Sequence, residues 1–124
     1  LNLTNHIDRN VNDGFSGGEV KRAEVMQLKC QEPKLLLLDE PESGVDLDNI
    51  ELIGKVIHSI IQSHKAIKEG RSGLIVTHVG YILKYLSVEE GHIINNGKLI
   101  LHGDPKALFN DIKKHGFMKK GKRQ

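Results

Sequence analysis

The stretch Leu35-Leu36-Leu37-Leu38-Asp39, set between Pro33 and Pro41, decides the fold class of this chain. Its leucines are apolar on both faces of an extended chain, and the prolines oppose a continuous helix through this region. A short, bounded apolar run of this kind is typical of a buried strand in a parallel sheet. A second such run occupies residues 74–77. The sequence therefore predicts an α/β domain with a mainly parallel sheet.

Helical segments and one hairpin complete the pattern. Ser16 begins a helix that we expect to reach about Gln31, and Asp46 is a good N-cap for a second helix that continues to about Glu69. Asn95-Asn96-Gly97 favours a tight turn between two short strands. The remaining predicted elements are a short helix over 81–86, hairpin strands over 91–94 and 98–101, and a last helix that begins at Asp104-Pro105 and ends near residues 115–116.

Length and composition limit the class of protein. A chain of 124 residues is enough for one domain with one core. No apolar run approaches the roughly 20 residues that span a bilayer. Cys30 is the single cysteine and cannot form an internal disulfide, which fits a reducing cytosol. The first residue is not methionine, so we expect the sequence to begin inside a longer protein, and no secretory signal is visible.

The positive charge is concentrated at the C-terminus. Four of the 18 basic residues lie in the last six positions, which leaves 14 basic against 16 acidic residues elsewhere. A body of net charge −2 is not a basic nucleic-acid-binding domain. We therefore divide the chain into a domain over 1–118 and a basic tail over 119–124. The tail is either a solvated flexible segment or a weak contact for a polyanion or a partner.

Acidic and histidine side chains follow the two predicted strands. Ligands bind such sheets beyond the carboxyl ends of the strands, where Asp39, Glu40 and His78 fall. Asp39 can hold Mg²⁺, and Glu40 can orient or deprotonate a water molecule. Ser16-Gly17-Gly18 opens a helix whose backbone N–H groups can receive a phosphate. The structural alternatives are a solvated or capping acidic pair, a packed or surface histidine, and a merely flexible helix start.

These residues together resemble the ATPase domain of ABC proteins. Phe15-Ser16-Gly17-Gly18-Glu19 resembles the family signature, and Leu35 to Asp39 resembles Walker B with Glu40 as the catalytic glutamate. Ser43-Gly44-Val45-Asp46 is similar to the D-loop, and His78 matches the switch histidine. The resemblance covers nearly all of the chain. It implies the C-terminal portion of a P-loop NTPase-like fold, with flanking helices and a C-terminal hairpin.

One branch of that family is closer than the others. Asn12-Asp13-Gly14 before the signature, with Lys21-Arg22 and Glu24 after it, is similar to the Suf-type (SufC-like) ATPases of iron–sulfur cluster assembly. Two features depart from that branch. Pro41-Glu42 is closer to the transporter ATPases, and Val79-Gly80 replaces a tyrosine-containing turn. The alternatives are an ABC transporter ATPase subunit and an inert or regulatory fragment that serves as a non-enzymatic interaction module.

The resemblance implies a composite ATP site. Its residues are Asp39 for Mg²⁺, Glu40 and His78 for catalysis, and Ser16, Gly17, Gly18, Glu19 and Asp46 for nucleotide contacts across a dimer. It implies ATP and Mg²⁺ as ligands, SufB/SufD-like scaffold proteins and a transient homodimer as partners, and a cytoplasmic ATPase without nucleic-acid binding or membrane insertion. A phosphate-binding loop of G-x-x-x-x-G-K-[ST] type is absent from these 124 residues, so we expect weak ATP binding by this chain alone.

Overall fold

Two units divide the chain at Ser87 and Val88. The computed structural model describes residues 13–116, together with Leu3, Thr4, Asp8 and Asn10. The predicted tail over 119–124 and most of the predicted N-terminal loop lie outside these residues. Within the described part, no helix has both the length and the apolar character needed to cross a bilayer.

The first helix begins at the predicted serine. Helix α1, Gly17–Gln31, follows Ser16, whose hydroxyl accepts the backbone N–H of Glu19 while the Glu19 carboxylate accepts the N–H of Ser16. This reciprocal capping box satisfies two donors that the helix cannot use internally. Ala23 and Val25 are the buried residues of α1. The predicted start and end of this helix are both confirmed.

The two apolar runs form a parallel pair. Strand β1, Leu35–Asp39, lies beside strand β2, Ser72–Val76, with Leu37 opposite Leu74 and Asp39 opposite Val76. Their predicted burial on both faces is wrong. Leu36 is buried, but four alternate apolar side chains are each more than half exposed: Leu35, Leu37, Leu74 and Val76. Side chains alternate across a strand, so Leu36 lies on a buried face of the pair and the four exposed side chains share the opposite face.

The predicted long helix is two helices. Helix α2, Leu47–Ile61, follows its predicted cap, Asp46, and buries a stripe of isoleucines: Ile50, Ile53, Ile57, Ile60 and Ile61. Helix α3, His64–Lys68, is a separate turn that Ser63 caps by accepting the N–H of Ala66 at 3.2 Å. A serine hydroxyl competes with the helical ladder for backbone donors, which explains the break at residues 62–63. A 3₁₀ helix, Tyr81–Lys84, replaces the short α-helix that we predicted over 81–86.

Close packing against Tyr85 predicts an unusual cost for alanine at Gly54. A β-carbon at this helical position would lie 2.6 Å from Cβ of Tyr85. Alanine is the better helix former, yet the overlap forces a backbone shift. We expect Gly54→Ala to lower the free energy of unfolding by about 1–3 kcal/mol in urea titrations. His58→Ala, at an exposed position of α2, is the control and should change it by less than about 0.5 kcal/mol. A more stable Gly54→Ala protein would contradict the packing.

An ion-pair cluster connects the end of α1 to the segment before β2. Glu32 accepts hydrogen bonds from Lys65 at 2.9 Å and from Arg71 at 2.9 Å, and Arg71 also pairs with Glu69 at 2.6 Å. The Lys65 hydrogen bond and then the Arg71 hydrogen bond lower the pKa of Glu32 from its ordinary value of 4.5. The carboxylate form of Glu32 is therefore favoured in the folded state.

This lowered pKa predicts a pH dependence of stability. The contribution of Glu32 is fully present above pH 4.5, the unfolded value, and is lost as the pH falls through the lower folded value. Thermal unfolding from about pH 7 to about pH 3 should therefore show a Tm deficit for Glu32→Gln that shrinks as the pH falls. Glu89→Gln, which removes an exposed carboxylate, should show no such trend. A deficit that stays constant over this pH range would contradict the ion-pair cluster as its source.

The second unit is a hairpin with one helix. Strands β3, Gly91–Asn95, and β4, Lys98–Gly103, are antiparallel, with a bulge beside Ile93 and Ile94. Asn96 and Gly97 both have positive φ, as the predicted tight turn requires. Helix α4, Pro105–His115, begins after Asp104, which accepts the N–H of Ala107 at 2.7 Å. The hairpin and last helix are confirmed, and the described strands form one parallel and one antiparallel pair.

Candidate functional site

The carboxyl ends of β1 and β2 lie side by side. The backbone N–H of Glu40 donates to the carbonyl of Val76 at 2.9 Å and so continues the ladder by one residue. Glu40 then turns with φ of +44°, in the left-handed region. That conformation costs a residue with a β-carbon about 1–2 kcal/mol, so the surrounding contacts must hold it. Strain of this kind is concentrated at functional positions in proteins.

Glu40 and His78 form a hydrogen-bonded pair. Nδ1 of His78 lies 2.7 Å from Oε1 of Glu40. The side chains are 60% exposed for His78 and 39% exposed for Glu40, so both are accessible to a ligand. A carboxylate beside an imidazole can accept a proton from a bound water and hold the imidazole in one orientation. The structure thus brings together the two predicted catalytic residues, whose roles remain predictions.

Asp39, which directly precedes Glu40, lines an open groove. The groove has a volume of about 320 Å³, and the residues that line it come from α1, from β1 and from Pro41. The Asp39 side chain is exposed and makes no hydrogen bond or ion pair within residues 13–116. Mg²⁺ in phosphoryl-transfer sites takes one or two carboxylates and fills its shell with water and phosphate oxygens. An accessible, unpaired carboxylate fits that requirement as a single ligand.

Within the described residues, the structure shows no complete protein cage for a metal. In the part of the chain that the structure describes, no group of three or more His, Cys, Asp or Glu side chains is arranged to hold an ion. His92 and His102, on the hairpin, contact Glu90 at 3.9 and 3.2 Å, and all three side chains are exposed. Asp39 is therefore the described residue that best fits a metal ligand beside Glu40 and His78.

The Ser16–Glu19 turn is a well-formed helix start. A β-carbon at Gly17 would lie 3.5 Å from the Gly44 carbonyl, and one at Gly18 would lie 3.5 Å from Asn49. These are ordinary contact distances, so packing within the chain does not require either glycine. Their small size leaves the backbone open to close approach by a ligand. An anion here would share the helix start with the Glu19 carboxylate, which lies 4.0 Å from Arg22.

Asp46 has a local structural role. Its carboxylate accepts the backbone N–H of Asn49 at 3.0 Å and the Asn49 amide at 2.6 Å, and these bonds lower the pKa of Asp46 in that order of size. The predicted N-cap is confirmed. Its contact across a dimer remains a prediction. Within residues 13–116, no hydrogen bond or ion pair joins the Ser16–Gly18 turn to Asp39, Glu40 or His78.

A further acidic residue, Glu42, was missed as a site residue from the sequence. It is only 4% exposed and is the buried charged residue of the described chain. Its carboxylate accepts the Thr77 hydroxyl, the Gly80 N–H at 3.0 Å and the Ile82 N–H at 2.7 Å. The only sequence signal at this position is that Pro41-Glu42 differs from the pattern of the Suf branch. The burial of Glu42 could not be predicted, because it depends on which distant residues donate hydrogen bonds to its carboxylate.

Comparison with known proteins gives relatives of one kind. No family model matches the chain. It is 36% identical over 111 residues to a probable ATP-dependent transporter, ycf16, of Pyropia yezoensis. The aligned region covers 90% of this chain and 41% of that protein. The ycf16 protein of Trieres chinensis is 39% identical over 111 residues, again 90% of this chain and 41% of that protein. A probable ABC transporter ATP-binding protein of Streptococcus pyogenes serotype M3 is 36% identical over 112 residues, 89% of this chain and 40% of that protein.

The chain spans about two fifths of the length of the curated relatives it matches. These similarities extend over nine-tenths of the chain and include the signature-like turn, β1 and His78 in one continuous region. Taken with the motifs and with the α/β structure, the similarity to ATP-dependent transporter and ABC transporter ATP-binding proteins supports membership of the ABC ATPase family.

Proposed function

We propose that this chain is part of an ATP-hydrolysing subunit of a cytosolic iron–sulfur cluster assembly complex. The observation that carries the ATPase proposal is the contact between Glu40 and His78 at the ends of two adjacent parallel strands. This is the sheet edge where α/β proteins bind ligands. A carboxylate and an imidazole that are both accessible can act there on one water molecule and one phosphate.

The reaction assigns separate tasks to these two residues. A water oxygen attacks the γ-phosphorus of ATP, and the bond from that phosphorus to the oxygen shared with the β-phosphate breaks. Glu40 positions the water and accepts its proton, while ADP leaves with the bonding electron pair. With both ring nitrogens protonated, His78 donates one hydrogen bond to Glu40 through Nδ1 and one to the γ-phosphate through Nε2. The contact with Glu40 keeps the ring at the reacting group. Phosphate and ADP are the products.

Mg²⁺ would be held by Asp39, and it supplies neutralisation of the charge that develops on the phosphate oxygens. The Ser16–Gly18 turn would contact the γ-phosphate bound on a second copy, which requires the proposed ATP-dependent homodimer. The exposed Gly17, the half-buried Gly18 and the helix N-terminus support such a contact. The turn has no bond to the Glu40–His78 pair within residues 13–116, as expected if it serves another site.

The uncovered sheet face supports a larger, mainly parallel sheet in the longer protein. Parallel sheets are normally covered on both faces, whereas Leu37 and Leu74 lie opposite each other and more than half exposed. We propose that polypeptide corresponding to the unmatched three fifths of the relatives covers this face. That part would also supply the phosphate-binding loop.

The competing function is an ABC transporter ATPase subunit. It is favoured by the names of the relatives and by Pro41-Glu42 in the turn after β1. The Suf function is favoured by Asn12-Asp13-Gly14 and Lys21-Arg22 around the signature-like turn. The two functions share the same hydrolytic chemistry and differ in the partner that the subunit moves.

Two measurements test these proposals separately. Phosphate release from ATP, with and without Mg²⁺, should be detected for the polypeptide purified at its natural length, and its absence would end the ATPase proposal. Affinity purification from the native source should then recover a soluble SufB/SufD-like scaffold. Recovery of a membrane permease would favour transport. A scaffold gene or a permease gene next to this one gives the same distinction cheaply.

A further inference from the structure

Glu42 holds a segment of the chain that contains His78. All three groups that donate to its carboxylate, the Thr77 hydroxyl and the N–H groups of Gly80 and Ile82, come from residues 77–82. Gly80 and Ile82 are buried, and Gly80 has φ of +72°. Its N–H also lies 2.9 Å from the Thr77 hydroxyl oxygen. The turn that carries His78 is therefore closed by side-chain oxygens.

The same carboxylate belongs to the turn that carries Glu40. The N–H of Ser43 donates to the Glu40 carbonyl at 3.0 Å, and the N–H of Val45 donates to the Glu42 carbonyl at 3.3 Å. These bonds make residues 40–45 one turn at the end of β1. Glu42 thus joins the Glu40 turn to the His78 segment from the buried side, while the Glu40–His78 contact joins them from the exposed side.

The strength of this connection follows from its charge and burial. Hydrogen bonds to an ionised group are shorter and stronger than neutral ones. A buried carboxylate is tolerated only where donors replace its lost hydration, and here three donors do so. A charge-assisted contact between two loops fixes their separation more firmly than the exposed Glu40–His78 bond, which water can replace.

We propose that Glu42 is a positioning residue that sets the distance between Glu40 and His78. This inference rests on the proposed ATPase function and deepens it, because it assigns the catalytic geometry to a residue outside the motifs. Glu42 touches neither water nor nucleotide in this role. It acts by holding the backbone on both sides of His78 against the turn that begins at Glu40.

The test compares Glu42→Gln with two other variants. Glutamine keeps the side-chain volume and one acceptor oxygen but replaces the second with a donor. Either the Ile82 N–H then loses its acceptor, or the Gly80 N–H keeps only the Thr77 hydroxyl oxygen. Glu42→Asp keeps the charge and provides a conservative rescue. Glu51→Gln is the control, since Glu51 pairs with Lys55 at a partly exposed position of α2. NMR of the 124-residue chain at one fixed pH gives the ring ¹⁵N shifts of His78 and the exchange rates of both amides.

We expect Glu42→Gln to speed exchange of one or both amides by at least about fivefold and to move the His78 ring shifts toward those of free imidazole. Glu42→Asp should lie between the variant and the original chain, and Glu51→Gln should match the original. In the natural-length protein, Glu42→Gln should lower kcat for ATP with little change in KM. Faster amide exchange with unchanged His78 shifts would show a purely structural role and overturn the proposal.

The NMR result for His78 does not depend on whether the proposed ATPase function is correct. If the natural-length protein hydrolyses no ATP, the ATPase proposal fails, and the His78 shifts still decide whether Glu42 positions that ring. If hydrolysis occurs and Glu42→Gln leaves both kcat and the ring shifts unchanged, the positioning role fails while the ATPase proposal survives.

Discussion

Replacement of Glu40 by glutamine should lower ATP hydrolysis by about 10²–10⁴-fold in the natural-length protein, the range expected for loss of a general base. The amide has nearly the volume of the carboxylate and can still meet the His78 ring, which lies 2.7 Å away in the original chain. It cannot accept a proton from water. Binding of ATP should therefore persist, and the ATP-bound form should accumulate as a dimer if the nucleotide lies between two copies.

Two measurements check this prediction. Single-turnover phosphate release measures the chemical step, and light scattering in the presence of ATP and Mg²⁺ measures the dimer. Glu89→Gln is the control, because it removes an exposed carboxylate far along the sequence in the second unit, and it should retain the original rate. A Glu40→Gln protein that hydrolyses ATP within a few-fold of the original rate would remove Glu40 from the mechanism.

Local signals in the sequence predicted most of the elements. Ser16, Asp46 and Asp104 are the observed N-caps of α1, α2 and α4, because a short polar side chain satisfies the first free N–H groups wherever it precedes a helix. Asn96-Gly97 likewise forms the hairpin turn, since positive φ at both positions is a local requirement. Features that depend on two or three neighbouring residues are readable without the rest of the chain.

Burial was predicted less well than secondary structure. Leucines on both faces of β1 indicate two covered faces, yet Leu35 and Leu37 are exposed. Coverage depends on which elements reach the sheet, and an apolar pattern does not contain that information. The break between α2 and α3 was missed for a related reason, because apolar residues continue at helical spacing through Ile67 while Ser63 locally captures a backbone donor.

In the candidate site, too, some features could be predicted from the sequence and others could not. The positions of Asp39, Glu40 and His78 after their strands follow from topology, and the structure places the last two in contact. The left-handed conformation of Glu40 and the burial of Glu42 could not be predicted. Both arise from the paths that the chain takes after β1 and after β2, where residues more than thirty positions apart form hydrogen bonds with each other.

Replacement of Glu42 by methionine should have a large effect on stability. Methionine preserves the unbranched shape and volume but offers no good acceptor. The Ile82 N–H and the Thr77 hydroxyl then lose their acceptor in a buried place, and the Gly80 N–H keeps only the Thr77 hydroxyl oxygen. An unsatisfied buried donor costs about 1–3 kcal/mol. Partial relaxation of the loop makes the sum smaller than three separate losses, and we expect a decrease of about 3–5 kcal/mol in the free energy of unfolding.

Urea titrations of the Met and Gln variants distinguish lost hydrogen bonds from lost packing. Glu42→Gln retains one acceptor and should lose clearly less stability than Glu42→Met, although the two side chains fill similar space. Glu51→Met, at a partly exposed position of α2, should change the free energy of unfolding by less than about 0.5 kcal/mol. If Glu42→Met costs less than about 1 kcal/mol, water has replaced the carboxylate at all three donors. The link between the Glu40 turn and the His78 segment would then not depend on Glu42.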